Sequence, residues 1–132
     1  MKNIATREAL SLLWIFAIAN YIFCDVFSLF YGPNLNEFLS GSVGGMELTQ
    51  EFLLTFAVIM ELAMLMIILS RFLSFPLNRW ANIAVGLVMT LVQIGSLIGG
   101  DITLHYWFFS AIEVSTTLYI VWTAWNWQEQ KI

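Results

Sequence analysis

The chain has 132 residues, of which 60% are hydrophobic and 11% are charged, and its net charge is −4. Soluble domains carry roughly 25% charged residues, so this composition indicates one integral membrane domain over residues 1–132. The acidic balance excludes nucleic acid as an expected partner, because phosphate binding needs a basic surface. The single cysteine, Cys24, excludes an intramolecular disulfide.

Four apolar segments predict the fold. Each approaches the ~20 residues that a helix needs to cross a hydrocarbon core, and a helix satisfies its backbone polar groups internally. The segments cover residues 10–31, 52–71, 80–98 and 104–127. Because most links between them are short, we expect an all-α membrane protein with four transmembrane helices in an up-down-up-down antiparallel bundle.

The longest link, between the first two segments, predicts a short interfacial helix over residues 35–39. Asn34 and Glu37 have capping-box spacing, a flexible glycine-containing link follows, and Thr49 is the predicted N-cap of the next helix. The interfacial segment is either a lid over the outer mouth or a connector that lies on the lipid headgroups.

The link between the second and third segments predicts a tight hairpin. Pro76 is expected to end the helical pattern, since proline cannot donate a backbone hydrogen bond. Asn78 then becomes the predicted N-cap of a helix that begins near Arg79.

The basic residues predict the orientation. All of them fall before the first segment, around the link between segments two and three, or after the fourth: Lys2, Arg7, Arg71, Arg79 and Lys131. Since cytoplasmic loops carry the excess of positive charge, we expect a multi-pass protein of the inner (plasma) membrane with both termini cytoplasmic. An aromatic belt is expected at the same interface, formed by Trp14, Trp80, Trp122, Trp125 and Trp127.

Three carboxylates lie inside the apolar segments, and no lysine or arginine lies at a comparable depth: Asp25, Glu61 and Glu113. A charged side chain near the bilayer centre costs roughly 2.5–3.5 kcal/mol on insertion scales, so such residues normally face a bundle interior and mark a functional site. We expect all three to share a pocket that opens outward. The candidate ligand- or proton-binding residues are Asp25, Glu61, Glu113, Gln93, Tyr21 and Tyr106.

Several chemistries suit these residues. Carboxylates beside aromatic rings are typical of sites for amines and other amphiphilic cations, and intramembrane acids also carry protons. The structural alternative is that these residues only form hydrogen bonds that hold the helices together, each worth about 0.6 kcal/mol in a membrane. A metal site from Cys24, His105 and Met64 is weaker, because no helix carries a Glu-x-x-His motif. No cofactor and no catalytic residues are expected, since no Ser, His and acid share a suitable spacing.

Four stretches carry a resemblance: NYIFCDVFSLF at 20–30, IMELAMLMIILSRFL at 59–73, NRWANIAVGL at 78–87 and FFSAIEVSTTLYIVWTAWNW at 108–127. Over nearly the whole chain the sequence resembles an uncharacterised family of small bacterial and archaeal four-helix membrane proteins. The resemblance implies characteristic positions at Asp25, Glu61, Arg71, Asn78, Arg79, Asn82 and Glu113. More loosely, the four-helix layout and the glutamate in the second helix look like DoxX-type proteins, and the buried acids look like the sigma-receptor and emopamil-binding group.

The sequence thus predicts an integral membrane protein with an outward-facing acidic pocket that binds or moves a small cationic or amphiphilic molecule, or protons. Two alternatives stay open: a non-catalytic accessory subunit of a membrane complex, and an oligomeric channel. The expected partners are the lipid bilayer and a small cationic or amphiphilic ligand, within a homo-oligomer or a larger membrane complex in the alternative cases.

Overall fold

The computed structural model describes residues 5–129 and is predominantly helical. In chain order its elements are α1 (Thr6–Phe30), α2 (Gly32–Leu39), β1 (Ser42–Val43), β2 (Met46–Glu47), α3 (Gln50–Phe72), α4 (Phe75–Ser96) and α5 (Leu104–Trp125). All four apolar segments of the sequence are helical, and the predicted all-α class is confirmed.

Three of the long helices, α1, α3 and α4, are long and apolar enough to cross a membrane. Helix α5 has 22 residues and therefore comparable length, but it is not among these three. Its buried face includes Ser110, Glu113, Thr116 and Thr117, so polar side chains of this helix point into the bundle.

The long helices pack in a ring, in which α1 contacts α3 and α5, and α4 contacts α3 and α5. Hydrogen bonds show the directions. The Ser11 hydroxyl of α1 donates to the Ile67 carbonyl of α3 over 2.7 Å, and the Arg7 guanidinium donates to the Leu73 carbonyl. Residue numbers rise along α1 as they fall along α3, so the two helices run antiparallel.

Helices α4 and α5 approach each other closely at Gly86. A Cβ built on this glycine would lie 2.7 Å from Cγ2 of Val121 and 3.4 Å from the Thr117 carbonyl oxygen. One turn farther along α4, the hydroxyls of Thr90 and Thr117 lie 2.7 Å apart. Small residues at such positions let two membrane helices pack with their backbones close together.

The link between α3 and α4 is shorter than predicted, and the predicted roles of Pro76 as a helix stop and Asn78 as an N-cap are both wrong. Helix α4 begins at Phe75, with Ser74 as its N-cap residue and Pro76 in its first turn. Proline is favoured there because the first-turn N–H groups have no intrahelical acceptor. Asn78 therefore lies inside the helix, where its side-chain amide donates to the Ser70 carbonyl over 2.7 Å; it is not the cap.

The link between α1 and α3 also differs from the prediction. Helix α2 begins at Gly32, so Asn34 lies inside it, and no side chain caps its N-terminus. Strands β1 and β2 then form a small antiparallel hairpin. Gly44 and Gly45 both have positive φ at its turn, which is the conformation that the commonest two-residue hairpin loops require. The predicted cap Thr49 is confirmed, since its hydroxyl accepts from the Phe52 N–H over 3.1 Å.

One end of the bundle, which we call the arginine end, carries Arg7, Arg71 and Arg79. Arg79 donates to the carbonyls of Ala124 and Trp125, in the last turn of α5. Its guanidinium also lies 5.8 Å from the ring centres of both Trp80 and Trp125. Lys2 and Lys131, the other two basic residues, lie outside the described residues.

Candidate functional site

Glu113 is the buried carboxylate of the bundle. It lies on α5 with Ser110 one turn before it and Thr117 one turn after it, so the three side chains share a helix face. That face packs against α1 and α4. Glu113 is 1% exposed, which confirms that one of the three predicted acids points into the bundle.

The Glu113 carboxylate has no hydrogen-bond partner among residues 5–129, and this holds for both of its oxygens. The hydroxyl of Tyr21, a residue of α1 that is 7% exposed, likewise has none within the same residues. Most buried polar groups in proteins are hydrogen-bonded, and each exception calls for an explanation such as a bound ion or water. Two such exceptions on facing helices indicate a site.

Cys24 and Asp25 of α1 also belong to this region. Cys24 lies one turn after Tyr21 on the buried face of α1, which packs against α5, and Asp25 follows Cys24 in the sequence. The Cys24 thiol is 2% exposed, whereas Asp25 lies on the exposed surface of α1. The prediction that Asp25 is buried is therefore wrong, although the residue borders the buried site. We call Tyr21, Cys24, Asp25 and Glu113 the Glu113 site.

Gln93 and Tyr106 lie on the α4–α5 side of the same region. The Gln93 amide donates to the Ser110 hydroxyl over 2.7 Å, and Gln93 is buried. The Tyr106 hydroxyl donates to the Ser96 hydroxyl over 2.7 Å, and Tyr106 lies one turn before Ser110 on α5. Both predicted residues thus lie near Glu113 but have partners of their own.

Glu61 does not join the site. It lies on the exposed surface of α3, and α3 packs against α1 and α4 with its buried residues Ala63, Met66 and Ser70. The prediction that all three acids are buried together is wrong. Spacing along the helix shows why: Glu61 and Ser70 are nine residues apart, which is about half a turn of rotation at 3.6 residues per turn.

The end of the site farthest from the arginine end is closed by a polar contact. The Ser28 hydroxyl of α1 lies 3.1 Å from Nε2 of His105, at the start of α5. The same ring nitrogen lies 3.5 Å from the Thr103 hydroxyl. Ser28 also donates to the carbonyl of Cys24. Hydrogen bonds therefore connect His105 through Ser28 to the backbone carbonyl of Cys24, in the turn of α1 that follows Tyr21.

Two surface grooves lie away from the Glu113 site. One, of about 570 Å³, runs between α1 and α5 and is lined mainly by apolar side chains such as Phe16 and Ile112. The other, of about 670 Å³, lies at the arginine end, near Arg7 and Trp127. Within residues 5–129, no three His, Cys, Asp or Glu side chains are grouped so as to hold a metal ion.

A second polar cluster was not predicted from the sequence. Near the arginine end, Oδ1 of Asn82 accepts from Nε1 of Trp14 and from the Ser70 hydroxyl, at 2.7 and 3.2 Å. The Asn82 amide donates to Oδ1 of Asn78 over 2.8 Å. Trp14 is fully buried, so its predicted place in an aromatic belt is wrong. The signal available in the sequence was the spacing of Asn78 and Asn82, which places both amides on one helix face.

A sequence model for a family of unknown function, DUF6326, matches residues 3–132. The chain belongs to this family. The match covers nearly the whole sequence and confirms the predicted membership of an uncharacterised family; the looser likeness to DoxX-type proteins stays a resemblance. No curated protein and no solved structure matches the chain.

Proposed function

We propose that this protein is a membrane protein that binds a proton or another small cation at Glu113. The observation that carries the proposal is that both Glu113 oxygens are buried without a hydrogen-bond partner among residues 5–129. A bare carboxylate is unfavourable in a low-dielectric interior. A proton or a small cation at the carboxyl group removes this cost, and a proton adds an O–H donor.

Tyr21 supplies the matching group on the facing helix. A phenol both donates and accepts a hydrogen bond, and the Tyr21 hydroxyl is free within the described part of the chain. The two groups are not hydrogen-bonded to each other in the structure. We infer that a side-chain movement brings them together, so that Tyr21 donates to Glu113 when the carboxyl is ionised and accepts from it when the carboxyl is protonated. Tyr21 thus serves both states of the site, which favours reversible binding.

Asp25 provides the route of exchange. It lies on the surface of α1, directly after the buried Cys24 of the Glu113 site, and we infer that a cation held at Asp25 passes from there to the buried carboxylate. The polar groups of Ser28 and His105 continue from this region to the end of the bundle opposite the arginines. We infer that the site exchanges with that side of the membrane.

Binding is better supported than transport across the membrane. Toward the arginine end, the Thr90–Thr117 pair is followed by the buried side chains of Ile18, Met89 and Ile120. A proton pathway through this layer would need polar groups or water there. We therefore propose exchange on one side only.

The proposed setting is a plasma membrane crossed by α1, α3, α4 and α5 in alternating directions, with both termini cytoplasmic. Three of these helices are apolar enough to span, and α5 packs along α1 and α4, where its polar face is covered. The gathering of Arg7, Arg71 and Arg79 at one end supports a cytoplasmic arginine end.

Infrared difference spectroscopy of the protein in lipid vesicles tests the proposal. We expect a C=O band of a protonated carboxyl group that disappears in Glu113→Gln and shifts in frequency in Tyr21→Phe. After transfer to D₂O, Asp25→Asn should slow the isotope shift of this band. Glu61→Gln is the matched control, because it removes a carboxyl on another helix and should leave the Glu113 band unchanged. A spectrum that Glu113→Gln does not alter would refute proton binding at this site.

A further inference from the structure

Helix α3 places a carboxylate at its midpoint, on the surface of the bundle. Glu61 lies eleven residues after Gln50 and eleven before Phe72, or roughly 16 Å from either end at 1.5 Å per residue. Its side chain is exposed on the surface of the bundle. Helix α3 is also the most apolar of the three candidate spans.

The Glu61 side of α3 faces directly away from the bundle. Ser70, about half a turn of rotation from Glu61, is fully buried and bonded to α4. The side chains around Glu61 are large, apolar and exposed: Leu54, Val58, Leu65 and Ile68, at 65%, 55%, 40% and 56%. We call these four residues, with Ala57 and Glu61, the Glu61 face.

Lipid cannot satisfy the hydrogen-bonding groups of Glu61. At this depth polar side chains normally face other protein rather than lipid. The arginines of the described chain lie at the arginine end, where they bond to Leu73, Ser11 and Trp125. A second copy therefore has no arginine to offer Glu61, but it does have an identical carboxyl group at the same depth.

We propose that the Glu61 face is a homodimer interface, in which the Glu61 carboxyl groups of two copies hydrogen-bond to each other across a two-fold axis. A protonated carboxyl group is both donor and acceptor, so it is complementary to itself. A two-fold interface places the same surface patch of both copies in contact. Two copies inserted in the membrane in the same orientation therefore have their Glu61 side chains at the same depth.

Ala57 makes the contact sterically feasible. It lies one turn from Glu61 on the same face and is exposed, and small residues at membrane helix interfaces let backbones approach. The interface is independent of the Glu113 site, because Glu61 lies on α3 and points outward, whereas Glu113 lies inside the bundle on α5. Failure of one proposal leaves the other standing.

Disulfide cross-linking of the full chain in lipid vesicles tests the interface. In a Cys24→Ala background, Ala57→Cys should form a disulfide-linked dimer on oxidation. Leu87→Cys is the matched control, since Leu87 is an exposed residue near the middle of α4, and it should not. Equal cross-linking at both positions, or none at Ala57→Cys, would overturn the proposal. So would cross-linking of Ala57→Cys in native membranes to another protein in place of a second copy.

The role of Glu61 itself is tested by the dimer dissociation constant, measured by dilution of labelled protein into increasing amounts of lipid. Glu61→Leu should raise this constant roughly tenfold, the effect of losing two membrane hydrogen bonds. Glu61→Gln keeps a donor and an acceptor and should retain the dimer. Glu51→Leu, the same change at the end of α3, should have no effect. An unchanged dissociation constant in Glu61→Leu would refute carboxyl pairing. If Glu61→Leu fails to fold, the cross-linking experiment still tests the interface.

Discussion

The indole Nε1 of Trp14 donates a 2.7 Å hydrogen bond to Oδ1 of Asn82, and both residues are fully buried. The bond joins α1 to α4, which are not neighbours in the ring of long helices. Because Asn82 also accepts from Ser70 of α3, one amide oxygen connects three of the four long helices. This cluster holds the arginine end of the bundle together.

Removing the donor of this bond should destabilise the protein. Trp14→Phe keeps an aromatic ring but removes one of the two donors to Oδ1 of Asn82, so that only the Ser70 hydroxyl still donates to it. We expect the free energy of unfolding in mixed micelles to fall by about 0.6–1.7 kcal/mol, the range found for hydrogen bonds in a membrane. Trp80→Phe is the control, because Trp80 is 57% exposed, and it should change stability by less than about 0.5 kcal/mol.

Asn78 should matter as a buried linker of α3 and α4, and not as a helix cap. Asn78→Ala removes the donor to the Ser70 carbonyl and the acceptor for the Asn82 amide. We expect a loss of about 1–3 kcal/mol, because buried partners are left unsatisfied. Ser74→Ala should be nearly neutral, since the side chain of this N-cap residue makes no capping bond. Comparable losses in the two variants would contradict the assignment.

The close approach of α4 and α5 predicts opposite effects at two glycines. Gly86→Ala would push against Val121, and overpacking of this kind costs about 1–3 kcal/mol. Gly95→Ala meets nothing within 4 Å, and in a helix it should be neutral or stabilise by up to about 1 kcal/mol. Thermal unfolding in detergent distinguishes the two. Adding Val121→Ala to Gly86→Ala should restore part of the lost stability.

The proposed orientation predicts where fused reporters are active. An alkaline phosphatase fused after Ile132 should be inactive and a fluorescent protein at the same position should fold, because both termini are expected on the cytoplasmic side. A reporter inserted between Gly44 and Gly45 should show the reverse. Phosphatase activity at the C-terminus would rule out this topology.

Much of the fold follows from local signals. Runs of about 20 apolar residues are enough to predict helices, and Thr49 satisfies a donor that every helix N-terminus leaves unpaired. The short β1–β2 hairpin was missed, although Gly44 and Gly45 in sequence are a known signal for a two-residue turn. The sequence predicts that Pro76 ends a helix because proline breaks a helix interior, whereas Pro76 lies in the first turn of α4.

The sequence by itself predicts a membrane protein with three acids inside its apolar segments, but only the tertiary structure decided which acid faces the bundle interior. In a soluble protein the core face of a helix is apolar and the other face is polar, so periodicity predicts burial. In α3 both faces are apolar, because lipid and the bundle interior accept the same side chains. The direction of Glu61 is therefore set by which side of α3 meets α1 and α4, while the packing of α5 against α1 and α4 encloses Glu113.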